Sequence, residues 1–151
     1  MKKLSFTLAA LVALTLSLSS CKKDADSPAP VVTKKTKTEL LTAGSWVMTG
    51  MKTNSVDLFP FLPNCQKDNF FTFKANGTYI DDEGKTKCDL GDPQTSTGSW
   101  KFIANETKIV LDGLDTSTIE SLNGEAMVIK SEVEDDEGKR SVIISTFTIK
   151  K

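Results

Sequence analysis

The feature that most constrains the fold is a succession of short apolar segments separated by turn signals. Turn-forming pairs stand at Asn76-Gly77 and Asn105-Glu106. Around them, apolar residues predict strands at Phe71–Phe73, Thr78–Ile80, Trp100–Phe102, Ile109–Leu111, Ala126–Ile129 and Val142–Ile149, and in the first and third of these they alternate with polar residues. Short strands at this spacing favour an antiparallel sandwich or barrel over alternating strands and helices. We therefore predict an all-β, small antiparallel up-and-down β-barrel, since closure removes exposed sheet edges.

Local signals predict how the strands are joined. Asn76-Gly77 is typical of a two-residue type I′ hairpin, in which both central residues need positive φ. The pentapeptide Asp-Asp-Glu-Gly-Lys occurs at 81–85 and again at 135–139, and we interpret both copies as hairpin tips. A calcium loop would need more oxygen ligands at alternating positions. Residues 38–43 predict a short helix that ends at Gly44.

The first twenty residues are typical of an export signal. Lys2 and Lys3 precede an apolar run from Leu4 to Leu18, which is shorter than the roughly 20 residues that span a bilayer. The run ends in Leu-Ser-Ser before Cys21, a tetrapeptide that resembles the bacterial lipobox. The resemblance implies a signal peptide at 1–20, cleavage before Cys21, and acylation of Cys21. Several acyl chains anchor a protein stably without a transmembrane segment.

The next segment, 21–38, is rich in Lys, Asp, Ser, Pro and Thr, and we expect it to be a flexible tether. The domain would then occupy 39–151. Lys22 follows Cys21, whereas in the lipoproteins of enteric bacteria an acidic residue at this position favours the inner membrane, so the resemblance implies the outer membrane. The lysines and aspartate that follow it resemble the surface-export signals of Bacteroidota lipoproteins, with ordinary solvated charge as the alternative. The domain would lie on the periplasmic face or the cell surface.

Charge and composition exclude several functions. The 19 basic and 20 acidic residues are well mixed, so no basic stripe predicts a nucleic-acid partner. The chain has no histidine, which excludes histidine-dependent triads and histidine-ligated metals. We predict no enzyme activity, no metal site and no cofactor. Once Cys21 is acylated, Cys65 and Cys88 form an even pair, which predicts a disulfide in an oxidising compartment.

Two motifs resemble the lipocalin-like domains of Bacteroidota lipoproteins. Leu41–Trp46 matches a Leu-x-x-Gly-x-Trp strand, and Phe73–Tyr79 matches a Phe-x-x-x-Gly-x-Tyr hairpin. A second Gly-Ser-Trp, at 98–100, echoes the first at 44–46. The resemblance implies a small barrel that binds a ligand. The chain departs from true lipocalins in its shorter strands and in an irregular insertion between Asn54 and Asp68.

That insertion contains the most functional-looking segment, residues 56–65, where two prolines prevent regular strand pairing. We expect a loop at the barrel mouth, with a tentative ligand site lined by Trp46, Phe59, Phe61, Leu62, Tyr79 and Trp100. For the loop residues we favour the alternative that they plug the barrel end as core. The ligand would be small and apolar or derived from a glycan. The other hypothesis is a side-chain-filled barrel that binds an envelope protein, as an inhibitor or accessory subunit, and an apolar cavity would separate the two.

Overall fold

A computed structural model describes residues 34–150; the predicted signal peptide, Cys21 and the tether up to residue 33 lie outside them. None of the helices in the described residues is long and apolar enough to cross a membrane. Nine strands and two short α-helices follow one another, with a 3-10 helix at Phe59–Phe61. In chain order they are α1 (Lys37–Leu41), β1 (Ser45–Thr53), β2 (Val56–Asp57), α2 (Asn64–Lys67), β3 (Phe70–Phe73), β4 (Thr78–Asp82), β5 (Thr95–Ile103), β6 (Lys108–Leu111), β7 (Asp115–Leu122), β8 (Ala126–Glu134) and β9 (Arg140–Ile149).

The strands form a closed antiparallel barrel. Each strand from β3 to β8 pairs with the next along the chain, and β1 pairs with both β3 and β9. Eight strands therefore close the barrel in up-and-down order, while β2 pairs only with the end of β1, at Lys52 and Thr53. This arrangement confirms the predicted all-β barrel. Closure pairs most of the long strands β8 and β9 on both sides, and only the ends next to their shared turn keep a free edge.

Alternation along the strands places one set of side chains inside the barrel. Successive side chains of a strand point to opposite faces, and the inward set is mostly apolar. The core consists of Leu41, Trp46, Phe73, Trp100, Ile109, Met127 and Phe147, all nearly inaccessible to water. The aromatic members meet edge to face, as in the Phe73 and Trp100 rings, whose centroids are 5.8 Å apart. Such pairs add stability beyond that gained from burying their area.

Helix α1 closes one end of the barrel, which we call the near end. The helix begins with a capping box, in which the Thr36 side chain accepts from the Glu39 backbone and the Glu39 carboxylate accepts from the Thr36 backbone. At the other end of the helix the indole N–H of Trp46 donates to the Leu41 carbonyl over 2.7 Å. Both residues are completely buried. The predicted helix is present, although it ends at Leu41, before the expected boundary.

The hairpin between β3 and β4 forms as predicted, but the prediction of a type I′ turn is wrong. Gly77 has a φ of +83°, whereas Asn76 does not have a positive φ. The Gly77 N–H donates to the Lys74 carbonyl at 3.0 Å, and the Lys74 N–H donates to the Thr78 carbonyl at 2.8 Å. The longer turn needs only one left-handed residue. The Asn76 side chain instead accepts a hydrogen bond from the Thr78 backbone.

Strand β7 was not predicted from the sequence. Its residues, Asp-Thr-Ser-Thr-Ile-Glu-Ser-Leu, include only two large apolar side chains, at Ile119 and Leu122. A bulge near Glu120 also shifts the register with β8 between Ile119 and Ser121. The apolar alternation is therefore too weak to mark a strand. Pairing with β6 and β8 on either side forms the strand despite its polarity.

The two Asp-Asp-Glu-Gly-Lys copies fold differently. The copy at 135–139 is a hairpin tip, closed by the Asp135 N–H donating to the Lys139 carbonyl over 3.0 Å. The hairpin predicted at 81–85 is wrong, because β4 ends at Asp82 and β5 does not begin until Thr95. Long-range contacts hold this connection open. The Asp68 carboxylate accepts from the backbone N–H groups of Lys85 and Thr86 at 2.9 and 3.0 Å.

The opposite end of the barrel, the far end, carries the β1–β2, β4–β5, β6–β7 and β8–β9 connections. The segment between β2 and β3 folds beside the C-terminal half of β1, where the Leu58 N–H donates to the Met51 carbonyl at 2.8 Å. The predicted disulfide between Cys65 and Cys88 is present. It ties the β2–β3 segment to the β4–β5 connection. The two longest irregular segments of the described domain are thus joined at the far end.

Candidate functional site

The barrel encloses an apolar cavity. Its lining consists of Phe71, Phe73, Ile109, Leu111, Ser117, Met127, Ile129 and Phe147. The cavity has a volume of about 70 Å³. This is more than the roughly 10–15 Å³ that a single water needs, so the cavity can hold a small molecule. Seven of the eight lining residues are apolar, so the space suits a small apolar molecule better than water.

The two tryptophans form the floor of the barrel at the near end. Trp46 is completely buried, and Trp100 is 8% exposed. Each indole N–H is satisfied by a backbone carbonyl, that of Trp100 by Lys74 at 3.0 Å. Neither residue belongs to the cavity lining. Their hydrogen bonds hold the rings in place beneath the cavity, so they support the site from below.

One polar group belongs to the lining. The Ser117 hydroxyl lies 2.7 Å from the hydroxyl of Ser131, which faces it across the β7–β8 pair. In a hydroxyl pair one O–H is used between the two oxygens, so the other O–H and several lone pairs stay free. The pair can therefore donate one hydrogen bond to a molecule in the cavity or accept one from it. Among the described residues, no cluster of three or more acidic or thiol groups could hold a metal ion.

The Tyr79 side chain on β4 reaches across Gly98 of β5 to the β6–β7 turn. Its hydroxyl donates to Asp112 Oδ2 over 2.6 Å, and Asp112 Oδ1 accepts from the Ser99 backbone N–H over 2.7 Å. Burial is the largest cause that raises the pKa of Tyr79 to about 12, followed by the hydrogen bond to Asp112. The same hydrogen bond lowers the pKa of Asp112. The hydrogen bond therefore links the β6–β7 turn to β4.

A carboxylate also faces the barrel interior. Asp81 lies two residues after Tyr79 on β4 and pairs directly with Phe71, a lining residue of the cavity. Its Oδ1 is inaccessible to water and has no hydrogen-bond partner. Burial, and then the negative charges of Glu83 and Asp82, raise the pKa of this carboxyl. Asp81 is not part of the cavity lining, but its strand partner Phe71 is, so the carboxyl lies beside the cavity on the far-end side.

The loop residues of the tentative ligand site lie at the far end. Phe59 and Phe61 are in the 3-10 helix, where Phe61 is 81% exposed. The Lys67 ammonium lies 5.7 Å from the centre of the Phe59 ring and donates to the Pro60 carbonyl at 3.0 Å. Leu62 follows the helix and is partly buried. The ligand role of these side chains stays a prediction, since none of them belongs to the cavity lining.

The structure does not bring the six predicted ligand residues together. Trp46 and Trp100 lie in the floor, Tyr79 in the wall, and the loop residues at the far end. The actual lining comes from the inward positions of β3, β6, β7, β8 and β9. Alternation along β3 and β9 could have identified Phe71, Phe73 and Phe147. Ser117 could not have been found, because its strand was not predicted.

Comparison with known proteins gives one family match. Residues 42–129 match the model of the lipocalin-like domain family. No curated protein sequence matches the chain significantly. Among solved structures, bovine odorant-binding protein with its natural ligand is 15% identical, with a TM-score of 0.49 over 79% of this chain and 76% of that one. A deswapped triple mutant of that bovine protein is 14% identical, with a TM-score of 0.42 over 71% and 72% of the two chains. Similarity at this level does not indicate what the present chain binds.

Proposed function

Because the chain belongs to the lipocalin-like domain family, we propose that its barrel binds a small apolar molecule and acts as a carrier without catalysis. Small eight-stranded barrels either fill their interior with side chains or hold one small ligand. The observation that carries the proposal is the cavity, which leaves space among seven apolar side chains. The same observation weighs against a filled barrel that works only through its outer surface. We therefore place ligand binding ahead of a purely protein-binding role.

The cavity limits the size and polarity of the ligand. A volume of about 70 Å³ suits a small ring or a short alkyl chain, whereas a fatty acid or a glycan fragment would be too large without movement of the lining. The ligand would contact lining residues such as Phe71, Phe147 and Ile129, and one hydroxyl pair would be available for a hydrogen bond. The ligand would be mostly apolar with at most a few polar atoms. Pockets of this kind commonly combine apolar walls with a small number of polar groups.

We further propose that the domain is held at the outer membrane by acyl chains on Cys21. The support is the sequence from Lys2 to Cys21, with its short apolar run and its lipobox-like end. The first described helix lies at the near end of the barrel, next to Trp46. The anchored chain would therefore enter the domain at the near end. The protein would be an envelope lipoprotein, on the periplasmic face or on the cell surface.

Toluene is a suitable probe for ligand binding, since it is apolar and close to the size of the cavity. Methyl groups of Met127, Ile129 and Leu111 would be followed by NMR during titration. We expect saturable shifts at these lining residues and none at Leu114, which is 84% exposed. Saturable binding confined to the lining would support the proposal. Absence of binding by toluene and by short alkyl compounds would refute it.

A matched pair of variants on β7 tests whether the cavity is the site. Ser117→Leu adds side-chain atoms to the lining, and we expect it to weaken toluene binding by about tenfold or more, or about 1.4 kcal/mol. Thr116→Leu introduces the same residue one position away, where the side chain is exposed on the outer face. This control should bind toluene as the wild type does. Equal affinity in the two variants would place the binding elsewhere.

Labelling with a palmitate analogue tests the anchor. The wild-type protein should take up the label and sediment with membranes, because several acyl chains give stable attachment. A Cys21→Ala variant should take up none and be released. If wild type and variant took up equally little label, the anchoring proposal would be wrong, while the ligand-binding proposal would be unaffected.

A further inference from the structure

We propose that the ligand carries an amine, and that its ammonium group binds Asp81 on the far-end side of the cavity. This inference rests on the proposed function and names the chemical class of the ligand. Its apolar part would occupy the space beside Phe71, and its nitrogen would meet the carboxylate that faces Phe71 across β3 and β4. The ligand class is then a small primary amine with an alkyl or aromatic tail.

The orientation of Asp81 follows from the strand register. Residues two apart on a strand point to the same face, so Asp81 shares the face of Tyr79. The Tyr79 ring packs inward, with its centroid 6.1 Å from that of Phe71 and 5.9 Å from that of Phe73. Directly paired residues also point the same way, with Cβ atoms about 4.5–5.5 Å apart. Two independent relations therefore direct the Asp81 carboxylate into the barrel, next to the cavity.

Asp81 has no protein partner in the described residues. Its Oδ1 is shielded from water and unpaired. Its neighbours on the chain are engaged: Asp82 Oδ1 accepts from the Gly84 N–H and the Gln94 amide, both at 2.9 Å. Glu83 Oε2 accepts from the Cys88 N–H at 3.3 Å. A buried polar atom without a partner is rare in folded proteins and calls for a water, an ion or a ligand to satisfy it.

Asp68 provides an informative contrast. Its Oδ1 is also shielded and unpaired. However, its Oδ2 accepts two backbone N–H groups, from Lys85 and Thr86, and these bonds hold the β4–β5 connection. Asp68 therefore has a structural role that accounts for its position. No hydrogen bond in the described residues gives Asp81 such a role, and its apolar neighbour Phe71 lines a cavity.

The charge around Asp81 favours a cationic group over a neutral one. Asp82 and Glu83 add negative charge beside it, and the ion pair between Arg140 and Glu134 is the only one within residues 34–150. No described lysine or arginine therefore neutralises Asp81. An ammonium group supplies three hydrogen-bond donors and the opposite charge, and such charge-assisted bonds are stronger than neutral ones. Because Asp81 is only partly buried, the ammonium group would keep part of its hydration.

The test compares two probes that differ only in the polar group, n-hexylamine and 1-hexanol. Both tails approach the size of the cavity, so both should bind if the barrel is a carrier. The amine should bind wild-type protein about tenfold more tightly than the alcohol at neutral pH and low salt. In Asp81→Asn the amine should lose this advantage, while the affinity for the alcohol stays unchanged. Calorimetric or NMR titration measures all four constants.

A charge-matched control excludes a general effect of net charge. Asp136→Asn removes one negative charge at the exposed tip of the β8–β9 hairpin, and it should leave both affinities as in the wild type. If hexanol binds but hexylamine binds no tighter, or if Asp81→Asn keeps the preference, the amine inference is overturned and the proposed function stands. If neither probe nor toluene binds, the proposed function itself fails.

Discussion

Gly98 is expected to be intolerant of any side chain, because the Tyr79 ring occupies the space where a Cβ would stand. A methyl group there would lie under 3.0 Å from the Cε1 and Cζ atoms of Tyr79 and 2.6 Å from Asp112 Oδ1. Carbon atoms in proteins pack at about 3.5–4.0 Å. In Gly98→Ala the ring must therefore move by about 1 Å, against the packing of Phe71 and Phe73 on its other side.

The magnitude follows from two opposing effects. Forcing an extra methyl group into packed surroundings costs about 1–3 kcal/mol, and replacing a strand glycine by alanine returns about 0.5–1 kcal/mol of chain entropy. We expect a net loss of about 1–2 kcal/mol in the free energy of unfolding, which is roughly a five- to thirtyfold change in the folding equilibrium. The displaced ring would also lose its hydrogen bond to Asp112.

Urea unfolding followed by tryptophan fluorescence measures this loss, because Trp46 and Trp100 are both buried in the folded barrel. Gly50→Ala is the matched control. A methyl group on Gly50 would meet only Thr146, at 3.5 and 3.6 Å, which are ordinary contacts. That variant should be neutral or slightly more stable. Equal stability of the two alanine variants would refute the argument that Tyr79 packs over Gly98.

Three further predictions concern the same domain. Replacing Cys65 and Cys88 by serine together should cost about 3 kcal/mol in urea unfolding, because the bridge closes a loop with a sequence separation of 23; a loss under about 1 kcal/mol would contradict this. Tyr79 is the single tyrosine of the chain, so phenolate absorbance should titrate at about pH 12, and because its folded pKa is raised, stability should fall as pH rises from about 10 through 12. Titration at an ordinary tyrosine pKa would contradict burial of the ring. The folded pKa of Asp81 is also raised, so its ionisation opposes folding. Asp81→Asn should therefore increase the free energy of unfolding at neutral pH and give no such gain below about pH 3.9. An equal gain at both pH values would exclude charge as the cause.

The sequence predicted the strands whose apolar residues alternate clearly. β3 and the last half of β9 have such a pattern, and their inward residues Phe73 and Phe147 are in the core, whereas β6 is marked by a continuous apolar run. β7 lacks it because serine and threonine occupy most of its positions. The β4–β5 connection was taken for a hairpin because its acidic residues and glycine look like a local turn. Its actual path depends on Asp68 and on the disulfide, which come from distant parts of the sequence.

The candidate site could be predicted only in part for a related reason. Aromatic side chains are conspicuous in a sequence, so they were assigned to a ligand site. In the structure Trp46 and Trp100 instead satisfy their indole N–H groups at the floor, and Phe61 lies exposed. The cavity is lined by β3 and by β6 to β9, with Ser117 as its polar member. Its lining depends on which inward residues reach the same height in the barrel, and this is set by register.

The sequence by itself determined the class of fold, the short helix that precedes the first strand, and the pairing of Cys65 with Cys88. These properties follow from alternation, turn chemistry and cysteine number, which are local or countable. Only the tertiary structure decided that space remains inside the barrel and that Asp81 pairs with Phe71, one of the residues that line this space. Both depend on closure between β1 and β9, which fixes the register of all eight strands at once. A shift of one residue in that register would turn each inward side chain to the outside.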